Sequence, residues 1–217
     1  MSRLATTVRF WPIGILLIAF ILAGWSEAAA QEPAAVRVEE DWELVVGDPD
    51  PTADAPQVIC AISPQGDVSG VYGAFELNAR SIPDFLAGGL QLQVWEGDTA
   101  LSDRRHPNGL SMQTAGETVT WTQSMSLSEG TLTFDVSEGA SSTWGGFGGE
   151  GYLRATANTT LTNLNGYNPE VSVANSGVSY AGNRVTSLVL KQVRVELSDG
   201  QVIVDNTDRV VHSQGVE

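Results

Sequence analysis

Apolar and polar residues alternate along most of the chain, and they alternate with the two-residue period of a strand. Val36, Val38, Trp42, Leu44 and Val46 share one parity, with Arg37, Glu39, Asp41 and Glu43 on the other. That pattern predicts a half-buried strand with a charged outer face. Leu90, Leu92 and Val94 alternate with Gln91, Gln93 and Trp95. Val119, Trp121, Met125 and Leu127 alternate with Thr118, Thr120, Thr122, Ser124 and Ser126, and Leu132, Phe134 and Val136 with Thr131, Thr133 and Asp135. Thr suits these outward positions because its branched side chain packs well on a pleated surface.

Turn signals punctuate the strands at Pro64-Gln65-Gly66, Gly88-Gly89, Asn108-Gly109, Glu129-Gly130, Glu138-Gly139, Asn165-Gly166 and Ser176-Gly177. Near the C-terminus a strand over Leu188–Leu197 meets Asp199-Gly200 and then Val202-Ile203-Val204. Asp-Gly between two such runs predicts a hairpin with a type I′ turn. No helical periodicity of useful length follows the first thirty residues, and no repeat supports a solenoid or propeller. The pattern predicts an all-β chain, an antiparallel β-sandwich. At the level of pattern alone it resembles the jelly-roll or concanavalin-like sandwiches over roughly residues 36–211.

The N-terminus departs from this pattern. Arg3 and Arg9 precede the apolar run Ile13–Ala23, and Ala28-Ala29-Ala30 offers an A-x-A cleavage site. Residues 1–30 therefore read as a signal peptide, with an uncleaved anchor as the alternative. The expected organisation is a disordered leader at 31–35 and a single sandwich domain at 36–217. The expected location is secreted or extracytoplasmic, in a periplasm or at a cell surface, without membrane insertion once the signal is removed. Cys60 is the only cysteine after that signal, so no intrachain disulfide can form, and its apolar surroundings predict a buried, inert thiol.

The formal net charge of −15 excludes a general nucleic-acid binder, which needs a basic face, and opposes adhesion to anionic membranes.

Catalytic side-chain types are scarce. His106 and His212 are the only imidazoles, and neither a G-x-S-x-G elbow nor an H-E-x-x-H motif occurs. The run Gly146–Gly151 matches G-x-G-x-x-G, but a strand-like segment follows it where a dinucleotide site needs a helix. Glu76, Glu96 and Glu117 lie in or near strands, yet nothing in their spacing selects a glycosidase pair.

Trp144 and Phe147 stand among glycines, with Tyr152 and Tyr167 nearby in sequence. Exposed aromatics grip neutral sugars by stacking, so Trp144, Phe147, Tyr152 and Tyr167 are the candidate ligand contacts. The opposing reading turns Trp144 and Phe147 inward over a glycine bulge. Asp48, Asp50 and Asp54 form a D-P-D-P-T-A-D loop that could ligate Ca²⁺, although it lacks the Gly and terminal Glu of a calcium hand. No other cofactor is expected. Together these features predict a non-catalytic extracytoplasmic module that binds carbohydrate or an envelope protein. The alternative is a structural or assembly protein of the cell surface, and behind it a glycan-active enzyme.

Overall fold

The computed structural model describes residues 32–48, 57–78, 89–107, 114–143, 145–149, 152–180 and 184–214. In chain order the strands are β1 (Ala35–Val46), β2 (Gln57–Ile62), β3 (Val71–Asn78), β4 (Gly89–Glu96), β5 (Thr99–Pro107), β6 (Thr118–Ser128) and β7 (Thr131–Ser141). They continue as β8 (Gly145–Phe147), β9 (Arg154–Asn158), β10 (Gly177–Tyr180), β11 (Val185–Leu197), β12 (Val202–Asp205) and β13 (Arg209–Ser213), with helix α1 (Pro169–Ala174) before β10.

Two antiparallel sheets result. The eight-stranded sheet runs β12-β11-β1-β6-β7-β8, with β13 also on β11 and β9 also on β7. The five-stranded sheet runs β10-β2-β3-β4-β5. The fold is an antiparallel β-sandwich. The alternation read from the sequence places the core as predicted: Val38, Trp42 and Leu44 on β1, Val119, Trp121 and Met125 on β6, and Leu132, Phe134 and Val136 on β7 are buried. They face Val58, Cys60 and Ile62 on β2, Phe75 and Leu77 on β3, and Leu90, Leu92 and Val94 on β4.

Aromatic contacts tie the layers together. Trp42 and Trp121, opposite each other in register, stack with centroids 6.3 Å apart, and Phe75 meets Trp121 edge-on at 5.5 Å. Such pairs add to the gain from burial alone. Gln123 crosses between sheets, its Nε2 donating to the Cys60 carbonyl at 3.2 Å. Cys60 is a buried free thiol whose pKa burial pushes up, which keeps it protonated and unreactive.

Two sequence expectations change. The Asp199-Gly200 hairpin is not type I′, because only Gly200 takes positive φ, at 85°. Gly200 N donates to Leu197 O and Leu197 N to Gln201 O, the arrangement of a type I turn closed by a left-handed glycine. A hairpin turn with two positive-φ residues occurs instead at Glu129-Gly130, at 48° and 74°, joining β6 to β7. The expected leader at 31–35 is ordered at its end. Ala34 exchanges bonds with Ser198, Ala35 N donates to Asn165 Oδ1 at 2.8 Å, and β1 begins at Ala35.

Glu40 lies on the inward side of β1 and is fully buried. Ser172 Oγ on α1 and Tyr167 Oη both donate to its Oε1, at 2.5 and 2.8 Å, and Trp42 Nε1 donates to its Oε2 at 3.1 Å. Desolvation nonetheless raises its pKa to about 7 against these bonds. The carboxyl thus pins the segment carrying α1 over the end of the core. The helix itself starts at the N-cap Asn168, whose side chain accepts from Glu170 N, with Pro169 in the first turn.

Candidate functional site

The three described residues among the aromatics nominated from the sequence do not gather into one surface. Phe147 points inward, 5% exposed and stacked on Phe75 at 6.2 Å, in space that Gly139 leaves by having no Cβ. The inward reading therefore applies to it: it belongs to the core and offers no stacking face. Tyr152 is half-buried, its hydroxyl accepting from Gly148 N at 2.7 Å, which closes the glycine segment. Tyr167 is half-buried and committed to Glu40. Trp144, Asp50 and Asp54 lie outside the described residues. Asp48 is exposed, and its backbone carbonyl accepts from Arg184 at 2.5 Å. Among the described residues no group of three or more His, Cys, Asp or Glu side chains is placed to hold a metal. His212 contacts the Val185 carbonyl at 3.1 Å, a structural tie between β13 and β11.

A different surface brings suitable groups together. Because Phe75 and Leu77 point inward on β3, Tyr72, Ala74 and Glu76 point outward. The same alternation turns Gln91, Gln93 and Trp95 outward on β4, and Ile59 and Ala61 on β2. Register aligns them in rows across the strands: Ile59, Glu76 and Gln91; Ala61, Ala74 and Gln93; and Tyr72 beside Trp95. The middle row is low because two of its members are alanines. It forms the floor of a hollow of about 220 Å³ on the outer face of the five-stranded sheet.

One end of this hollow is aromatic, walled by Tyr72 and Trp95, and the other is polar, walled by Glu76. Trp95 Nε1 donates to Gln93 Oε1 at 3.3 Å, which fixes the indole, and Gln57 Nε2 donates to Glu76 Oε2 at 3.1 Å. Burial pushes the Glu76 pKa up, opposed by the Gln57 hydrogen bond and by Arg105. Burial, Asp98 and Glu76 also hold the Tyr72 phenol above its ordinary range, so it stays a neutral donor. Asn175, just beyond α1, also lines the hollow and donates its Nδ2 to Val171 O at 2.8 Å. Beside Glu76, Gln91 is fully buried, and among the described residues neither of its amide atoms has a hydrogen-bond partner. A buried amide in that state is costly.

A second concavity, of about 400 Å³, lies at one end of the sandwich. Gln65 and Gly70 of the β2–β3 connection form one side, and Asn158 at the end of β9 with Thr160 and Leu161 beyond it form the other. Val71 and Glu96, the terminal rung of the β3–β4 pair, lie between them.

The outward Tyr72–Trp95 pair was half visible in the sequence. Trp95 breaks the polar parity of Gln91 and Gln93, and this unexplained outward tryptophan was the signal. Its partner depends on register, which the sequence does not display.

No protein-family model and no curated protein matches the chain. Among solved structures it aligns with the crystal structure of an ancestral congerin, Con-anc, at 10% identity and a TM-score of 0.32, over 76% of this chain and 95% of that one. Likeness at that level has no bearing on the site.

Proposed function

We propose that the protein is a binding module that holds a carbohydrate in the hollow between Tyr72–Trp95 and Glu76. The carrying observation is the aromatic rung set beside an alanine floor with a buried, hydrogen-bonded carboxylate at the far end. A sugar presents an apolar C–H face and a rim of hydroxyls, and these match the two ends of the hollow. Binding is favoured over hydrolysis because Glu76 is the one carboxylate among the described lining residues, whereas glycosidases act through a pair. The basic n-region, apolar run and A-x-A site of residues 1–30 support an exported protein that acts outside the cytoplasm.

The test is a glycan-array screen of the purified protein beside its Tyr72→Ala and Trp95→Ala variants, with and without Ca²⁺. Binding should fall about tenfold or more in each variant, at unchanged melting temperature. Retention of full binding by both variants, or no binding by the parent, removes the reading. Calcium dependence would assign a role to Asp48, Asp50 and Asp54.

A second reading, an assembly protein of the cell surface, is favoured by one observation. Val202, Ile203, Val204 and Val210 are 42%, 56%, 47% and 59% exposed along the β12–β13 edge of the larger sheet. Open edges of this kind pair with other strands.

A further inference from the structure

Resting on the carbohydrate reading, we infer that the ligand is an uncharged linear oligosaccharide, one part seated in the Tyr72–Trp95 hollow and the rest in the end groove. The two concavities lie on opposite sides of the same β3–β4 end. Val71 and Glu96 form its terminal rung and line the groove, whereas Tyr72 and Trp95 form the next rung and line the hollow. Successive side chains of a strand point to opposite faces at a rise of about 3.3 Å, so the two concavities open on opposite faces of the sheet, one rung apart along it. A single sugar in the hollow cannot use the groove, which is nearly twice as large. A chain leaving the hollow past Trp95 enters it by rounding the strand ends, where Gly70 and Gly97 bond backbone to backbone and carry no side chains.

The chemistry of both linings sets the ligand class. The hollow offers Glu76 and Asn175, and the groove offers Gln65, Glu96, Asn158 and Thr160. Carboxylates, amides and a hydroxyl are partners for ligand hydroxyls, and no Lys, Arg or His stands among the described lining residues of either. An anionic glycan would meet two carboxylates on a chain already carrying a net charge of −15. A neutral, hydroxyl-rich chain meets acceptors throughout.

Two linked subsites make affinity depend on ligand length, since the second contact forms within an already tethered complex. The experiment is calorimetric titration of the purified protein with neutral gluco-, manno- and xylo-oligosaccharides from a single sugar up to roughly six units, with an oligogalacturonide as the anionic comparison. In the series that binds, affinity should rise at least about tenfold from the shortest to the longest member, and the oligogalacturonide should not bind. An Asn158→Ala/Thr160→Ala variant, altered only at exposed groove positions, should lose that rise while binding the shortest ligand as the parent does. Tyr72→Ala should weaken every length. Length-independent affinity that still requires Tyr72, or a rise with length that survives the groove variant, overturns the two-subsite inference and leaves the carbohydrate reading standing. Tighter binding of the anionic ladder overturns the assigned ligand class. Absence of binding in every series overturns both.

Discussion

At the scale of single residues, Glu40 is the most consequential side chain in the molecule. It stands at an inward position of β1 between Val38 and Trp42, where a carboxylate costs desolvation energy that three hydrogen bonds only partly offset. Its folded-state carboxyl titrates near 7 rather than 4.5. Below about 4.5 the group is protonated in folded and unfolded chains alike, and it exacts no charge penalty. As pH rises toward 7 the unfolded chain gives up the proton first, so stability is lost across that interval and the loss is complete above it. The shift corresponds to about 3 kcal/mol at full ionisation. Glu40→Gln removes this dependence, but its amide nitrogen cannot accept from Trp42 Nε1, which costs roughly 1–3 kcal/mol at every pH. Urea unfolding of parent and variant between mildly acidic and mildly alkaline pH should therefore show the parent ahead under acid conditions, with its advantage shrinking or reversing by neutrality. A difference between the two that stays flat with pH would mean that Glu40 ionises normally in the fold.

Among the elements, the hairpins show where sequence rules hold and where geometry intervenes. The alternating runs in β1, β4, β6, β7 and β11 were legible because period-two burial needs nothing beyond the strand itself. Turn type was less legible. Asp-Gly allows a type I′ turn but also suits a three-residue loop with glycine in the left-handed position, and the β11–β12 register selects the latter. Glu129-Gly130 forms the tighter turn because Ser128 pairs with Thr131 and leaves only two residues to reverse the chain. Glu129 is thereby held at φ 48°, a region that favours Asn or Gly. Glu129→Asn should raise stability by roughly 0.5–1 kcal/mol, read as a higher melting temperature with an unchanged fold. No gain would mean that the Glu side chain makes a compensating contact. The site was the least legible part, for a related reason. Trp144 and Phe147 attracted attention through local composition, yet Phe147 fills the space over Gly139 in the core. Tyr72, Glu76 and Trp95 become neighbours only through cross-strand register, which links positions about twenty residues apart. Glu40 went unread because five apolar neighbours of the same parity masked one acidic exception.

For the whole molecule, charge and edge exposure oppose each other. Copies carrying a net charge of −15 repel over a Debye length of about 30 Å at roughly 0.01 M salt, but over only about 3 Å at roughly 1 M. The β12 edge has little of the charge that usually guards such strands: Val202, Ile203 and Val204 are all exposed, and β12 pairs with β11 on its other side. Antiparallel pairing of two copies about Ile203 would set Val202 opposite a second copy's Val204 and Gln201 opposite its Asp205. No like charges would face each other in that register. The strand has only four residues, so the contact is weak and repulsion decides whether it forms. Sedimentation velocity should find a monomer at low salt and a concentration-dependent dimer at high salt. Ile203→Lys should hold the protein monomeric in both, because it places a like charge at the two-fold centre of the pairing. If the variant dimerises as the parent does, contact lies elsewhere on the surface. If the parent remains monomeric at high salt, the exposed edge is protected by its shortness alone, and the assembly reading loses the observation that favoured it.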